Sequence, residues 1–209
     1  MELEGDPTKS TWKYNKRNWI TPEIKVRNTS HVGTRFTSTA AGNQLVGISV
    51  GKGISERVGK RIRMISLECH GYIVNETAAN CNKCDMLVVY DRRPAGGTPP
   101  ITDVLNAATS CTNILDSNAD RFEIVYRKSY VLVGASGTAS TTMTSSTAVD
   151  CSFLLDLQGR PVVYKLVSDG SSSNVSEGNL ILYLVCQALA VTNNVATLTA
   201  ALRVRYVDD

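Results

Sequence analysis

Two histidines, His31 and His70, are the side chains of this sequence that titrate near neutral pH, and so its available general bases. His70 falls in an apolar, strand-like run beside Cys69, and His31 in what reads as a polar turn. Neither has a G-x-S-x-G elbow to serve, and both suit structural roles better than catalytic ones. A phosphate-loop reading of Gly53 to Arg61 fails on spacing. The interval to Gly59 is too long for G-x-x-x-x-G-K-[ST], and Lys60 is followed by Arg61 rather than Ser or Thr. Cys81 and Cys84 form a single C-x-x-C, half of a tetrahedral zinc site, which His70 or Cys69 completes only if the turn folds back; a reduced turn is the better reading. Asp116, Asp120, Asp208 and Asp209 are carboxylates of the kind that bind calcium between subunits, and equally of the kind that stay solvated. The sequence therefore offers no catalytic constellation, and neither a metal nor a cofactor is expected.

Cations beside aromatic rings are what the spacing does offer. In residues 1–22, Lys9, Lys13, Lys16 and Arg17 are interleaved with Trp12, Tyr14 and Trp19. Phosphates attract such charges and unpaired bases stack on such rings, the equipment for tracking a single strand of nucleic acid. The same rings would also serve a loose arm packed on its own domain. A second basic group, Lys52, Arg57, Lys60, Arg61 and Arg63, lies in the loop GKGISERVGKR and the residues just after it, and reads as phosphate or subunit contacts on a solvated rim. Asp91, Arg92 and Arg93 close a strand before Pro94 and suit an ion pair between subunits, worth only ~0 to 1 kcal/mol if exposed.

Strands must position all of these. The basic loop feeds IRMISLECHGYIV, where Ile62 and Met64 share one parity and Ile65, Leu67, Cys69, Gly71 and Ile73 the other. A change of face needs an extra residue, which predicts a β-bulge near Met64 and Ile65. DMLVVYDRRP returns as the adjacent strand, and Thr102 to Leu105 reads as a short capped helix in the next connection. Phe122, Ile124, Tyr126, Tyr130 and Leu132 alternate with polar neighbours, a strand with one buried face. Cys151 to Leu157 and Val162 to Val167 read as two shorter strands joined through Gly159, Arg160 and Pro161. Leu180 to Leu189 reads as a central strand, and Leu198 to Tyr206 as the cleanest half-buried one. Gly134 to Thr147 reads as a flexible loop. The pattern predicts an all-β fold, a single antiparallel jelly-roll sandwich of eight main strands with a short helix in one loop, divided as an N-terminal arm over 1–22 and one domain over 23–209.

Composition agrees with one folded unit. Of 209 residues, 43% are hydrophobic and 20% charged, which leaves enough apolar surface for a core and argues against wholesale disorder. No apolar run approaches the roughly 20 residues of a membrane helix, and MELEGDPTKS lacks a secretory apolar core, so a soluble protein, intracellular at synthesis and with reduced cysteines, is expected.

The order RVGKRI, HGYIV, VVYDRRP, RFEIVYRKSYVLVG, NLILYLVCQA and ATLTAALRVRYVDD resembles the coat proteins of geminiviruses and related viruses with small circular single-stranded DNA genomes, over roughly residues 30 to 209. The resemblance implies a capsid subunit that self-assembles, in about 60 copies, into an icosahedral shell enclosing single-stranded DNA, found in the virion and, during assembly, in the host nucleus. The long Arg- and Lys-rich arm of that family is replaced here by MELEGDPTKST. A formal charge of +3 per chain gives a shell of about 60 copies on the order of +180, too little for a kilobase-scale genome. Read from the residues alone, a coat protein of a small RNA or satellite virus and a lectin-like or cytokine-like binding sandwich stay open as alternatives.

Overall fold

The computed structural model describes residues 23–36, 42–75, 81–106, 113–133, 148–166, 169–186 and 196–209. Among them ten strands form: β1 (Lys25–Phe36), β2 (Asn43–Gln44), β3 (Arg61–Asn75), β4 (Cys81–Asp91), β5 (Phe122–Val133), β6 (Val149–Asp150), β7 (Phe153–Tyr164), β8 (Val175–Glu177), β9 (Asn179–Cys186) and β10 (Ala196–Asp208). One sheet runs β1-β10-β3-β7-β8 with β6 also on β3, and the other runs β2-β9-β4-β5. Setting aside the short β6 and β8, the pairing is nested: first with last, second with second-last, then β3 with β7 and β4 with β5, all antiparallel. A long hairpin rolled up in this way into two facing sheets is a jelly roll, as the sequence predicts.

Period-two alternation sets the faces. Along β10, Leu198, Ala200, Leu202, Val204 and Tyr206 are buried between the sheets while Ala201 and Arg203 are exposed. On β3 the predicted bulge falls at Ile65: Arg205 faces Ser66 and Tyr206 faces Met64, so Ile65 has no partner and Ile62, Met64, Leu67, Cys69 and Ile73 all reach the core. Gly71 belongs to the same strand because β10 lies so close; a Cβ there would stand 2.4 Å from the Ala200 Cβ.

The second sheet is apolar on both faces. Cys84, Met86, Val88 and Tyr90 point to the main core, and Leu87 and Val89 to a second cluster outside it. That outer face is covered by the connection between β4 and β5. Its helix α1 (Ile101–Val104) and the following residues lay Ile101, Val104 and Leu105 on Ile181, Tyr183 and Val185, each worth about 2 kcal/mol of burial. Tyr183 donates to Pro99 O at 2.7 Å and Leu115 N to Val104 O at 2.9 Å, which fixes the cover. Every residue of β9 is therefore buried, the reason its sequence is continuously apolar rather than alternating.

Four sequence expectations are corrected. Residues expected as two short strands form one, β7, because both halves pair with β3; Leu157 to Gly159 loop out opposite the bulge, with Asp156 Oδ1 accepting from Gln158 N at 2.8 Å. The helix begins at Ile101 behind Pro100, with no side-chain cap, so Thr102 is not its cap. On β5 the alternation does not hold one face. A register shift opposite Val88 and Val89 sends Phe122 and Ile124 to the outer cluster and Tyr130 and Leu132 to the main core. His31 lies on β1, not in a turn, and its ring is buried, with Nε2 lacking a hydrogen-bond partner among the described residues.

Burial lowers the pKa of His31 from its ordinary 6.5. The unfolded chain then takes up this proton first, so stability is whole above pH 6.5 and is lost as pH falls from there toward the folded value. The melting temperature is expected to fall between about pH 7 and pH 5.5, above the carboxylate range, and His31→Gln to flatten that slope in a thermal-melt series.

Candidate assembly and nucleic-acid surfaces

Residues 49–60 cross one end of the sandwich as a tongue before entering β3. Val50 bridges Arg57, with Gly51 N to Arg57 O and Arg57 N to Ser49 O both at 2.9 Å. Arg57 anchors it from below. Its side chain is 2% exposed, its Nε donates to Ile48 O at 3.1 Å and its Nη1 to Gly59 O at 2.6 Å, and the guanidinium lies 4.1 Å from the centre of the Tyr164 ring. Burial lowers the pKa of this guanidinium and pushes the Tyr164 hydroxyl up; that hydroxyl donates to Val46 O at 2.8 Å. Expected among the phosphate contacts, Arg57 instead turns inward, with its Nε and Nη1 held by the carbonyls of Ile48 and Gly59.

The end of β10 holds the tongue from the side. Asp208 takes the nearly buried Lys25 Nζ at 2.9 Å and Val58 N at 3.3 Å, and Lys25 also donates to Glu56 O at 3.0 Å. Asp209 takes Arg61 Nε at 3.1 Å and Arg63 Nη2 at 2.6 Å, leaving both arginines about half exposed. Lys52 and Lys60 are exposed and make no ion pair among the described residues. Lys52, Lys60, Arg61 and Arg63 are thus gathered at one end of the sandwich, whereas Lys9, Trp12, Lys13, Tyr14, Lys16, Arg17 and Trp19 lie outside the described residues.

Asp91, expected at a subunit contact, is instead fully buried within the chain. Arg121 meets it in a fork, Nε to Oδ1 at 2.9 Å and Nη2 to Oδ2 at 2.8 Å, and Asp91 holds that guanidinium above its ordinary pKa. The same carboxylate accepts from Arg93 N at 3.1 Å, tying down the turn after β4. Arg92 and Arg93 also have partners in their own chain, Glu123 at 3.0 Å and Asp120 at 3.1 Å, though both stay exposed. Arg121 is the residue that sequence reasoning missed here; its signal is a lone Arg at the mouth of the strand that pairs with Asp91.

The outer face of the β1-β10-β3 sheet is open and polar. Glu68 bonds His70 Nε2 at 2.8 Å and Arg205 Nη2 at 2.9 Å, and Arg203 Nε donates to Asn28 Oδ1 at 3.0 Å, around a shallow cavity of about 360 Å³. His70 is solvent-exposed there, with a carboxylate that its hydrogen bond, first of all, holds below the usual range. Four thiols, Cys69, Cys84, Cys151 and Cys186, are buried, with the Cys84 and Cys186 Sγ atoms 2.7 Å apart in a hydrogen bond, and among the described residues no three His, Cys, Asp or Glu side chains are grouped to hold a metal ion. No helix among the described residues is long and apolar enough to cross a membrane.

Residues 14–209 match the family described as Geminivirus coat protein/nuclear export factor BR1. No curated protein matches the sequence. Among solved structures, the chain is similar to infectious bursal disease virus, Gx strain, at 8% identity and a TM-score of 0.35, covering 88% of this chain and 32% of that one. The chain therefore spans about a third of the length of that relative. It is also similar to Desmodium yellow mottle tymovirus at 14% identity and a TM-score of 0.32, covering 90% of this chain and 88% of that one. Likenesses this distant add nothing to the fold, which rests on the strand order.

Removing the anchor separates its role from that of the exposed cations. Arg57→Ala leaves the buried Ile48 O without this donor, at about 1 to 3 kcal/mol, whereas Lys60→Ala, at the surface, stays within about 0.5 kcal/mol of the parent. Urea denaturation of the two variants checks this; equal losses would return Arg57 to the surface set.

Proposed function

The chain belongs to the geminivirus coat protein family, and from that premise we propose that copies of it close into an icosahedral shell around circular single-stranded DNA. It is a capsid protein and a component of the virion. The observation that carries the proposal is the family match over residues 14–209, nearly the whole chain. The nested jelly-roll pairing supports it, because it leaves loops at both ends of a stiff sandwich for contacts between copies. A shell of about 60 copies is the smallest closed icosahedral set of identical subunits.

Residues 1–22 act as an arm and 23–209 as the shell-forming domain. The arm lies inside the shell, with Lys9, Lys13, Lys16 and Arg17 on phosphates and Trp12, Tyr14 and Trp19 stacked on bases. Arg61 and Arg63, half exposed on β3, add phosphate contacts at the tip. Lys60 lines a cavity with the exposed Val50, Val58 and Leu166, and Lys52 is exposed on the same tongue, surroundings that suit a protein partner as well as a phosphate. Because +3 per chain is a small charge, counterions accompany the packaged DNA. The coupling of coat protein and nuclear export factor in the family's description supports assembly in the host nucleus.

The test is co-sedimentation of the purified full chain with circular single-stranded DNA, or with single-stranded RNA of equal length, followed by nuclease treatment and the absorbance ratio at 260 and 280 nm. Closed particles that protect DNA are expected, with protection reduced when residues 1–22 are deleted. Particles that protect RNA and not DNA would overturn the cargo. Only monomers or small oligomers across salt and pH would overturn the shell and favour a ligand-binding sandwich.

A further inference from the structure

We infer that the tip around Val50, Val58 and Leu166 is a contact surface for a second copy of this chain, received on the acidic flank that carries Asp103 and Asp116. The inference rests on the shell reading and names the contact that builds it.

Val50 is 43% exposed, Val58 65% and Leu166 82%, and the three line one cavity of about 330 Å³ with Gly59, Lys60 and Lys165. Ile54, 61% exposed, rides on the same tongue, where Val26 N donates to Ile54 O at 3.0 Å. Large apolar side chains gathered at one end of a soluble sandwich mark a surface that association covers. The tongue is also held more firmly than a solvent loop needs to be. Arg57 pins it from the core, Lys25 and Asp208 from β1 and β10, and Glu56 folds its carboxylate back onto Gly53 N at 2.7 Å. A tip ordered before it meets its partner loses little entropy on binding.

Charge selects the partner. From Val50 to Arg63 the chain has five basic residues and one acid, of which Arg57 is buried and Arg61 and Arg63 are paired with Asp209, leaving Lys52 and Lys60 as its exposed unpaired cations among the described residues. From Asp91 to Glu123, the cover of the second sheet, it has five acids and three bases, a net −2. Within that flank Arg121 is taken by Asp91, Arg92 by Glu123 and Arg93 by Asp120. Asp103 and Asp116 are exposed and in no salt bridge among the described residues, and Lys52 and Lys60 are the matching exposed cations of the tip. The tip belongs to the end of the β1-β10-β3 sheet, whereas the flank lies on the outer face of the β2-β9-β4-β5 sheet. Two complementary patches on different sides of one sandwich meet head to tail, the heterologous geometry that closes into rings.

Charge reversal tests the pairing. Lys52→Glu with Lys60→Glu, and separately Asp103→Lys with Asp116→Lys, are each expected to abolish closed particles in sedimentation velocity while leaving the circular dichroism spectrum and melting temperature unchanged. The fourfold variant carrying both reversals is expected to regain them. Particles in either double variant, or none in the fourfold variant with a parent-like melt, would overturn the contact. Should the parent itself form no particles, the shell reading fails separately. The contact is then judged by joining a Lys52→Cys chain to an Asp116→Cys chain with a short bis-maleimide: a cross-linked band above a Lys52→Cys/Thr102→Ser control supports it, and no band overturns it.

Discussion

The strand that ends the described structure lies inside its sheet rather than at an edge, and the rest depends on that placement. β10 is hydrogen-bonded to β1 along one edge and to β3 along the other. Among the described residues β1 has no other strand partner, so it belongs to the sheet only through β10. The burial of Leu198, Leu202, Val204 and Tyr206 joins that sheet to the facing one. Such pairing joins residues far apart in sequence, which makes for slow, cooperative folding rather than assembly piece by piece. The end of the same strand carries Asp208 and Asp209, which hold Lys25, Arg61 and Arg63, so the tip is fixed by the strand that closes the sandwich.

A second constraint is the unlike treatment of the two sheets. The β2-β9-β4-β5 sheet is apolar on both faces and must be covered, and the connection carrying Ile101, Val104 and Leu105 covers it. The other sheet keeps a polar outer face with Glu68, His70, Arg203 and Arg205. The sandwich consequently has sides of different chemistry, one acidic and loop-covered, the other open and polar with a basic apolar end. Identical subunits with unlike sides are suited to head-to-tail contacts and hence to closed assemblies.

Much of this was legible in the sequence where period-two alternation was clean. The parity change at Met64 and Ile65 located a bulge because only an extra residue reconciles the two buried sets. Continuous apolarity over Leu180 to Leu189 read as a central strand, and as far as Cys186, where the described residues stop, that strand is β9, buried throughout. The failures share a cause. On β5 both faces are partly apolar, so alternation could not reveal the shift that parts Ile124 from Tyr130. Gly159 and Pro161 read as a turn because local punctuation cannot report that both flanking segments pair with the same neighbour.

Charges were harder still. Arg57 stands in a run of cations, and nothing in its type distinguishes the one that turns inward onto Tyr164 from those that face water. Asp91 read as part of an ion pair between subunits because its partner, Arg121, is thirty residues away in sequence. The apolar Ile54 and Val58 inside the basic loop were the available clue that the tip suits a protein partner. Electron cryomicroscopy of the purified full chain tests the central claim, that this sandwich is the repeating unit of a capsid. The expected result is closed shells of uniform size whose density fits one jelly roll per subunit, with β10 between β1 and β3. Monodisperse free subunits at every salt and pH, or shells whose subunit density does not fit this strand order, would contradict it.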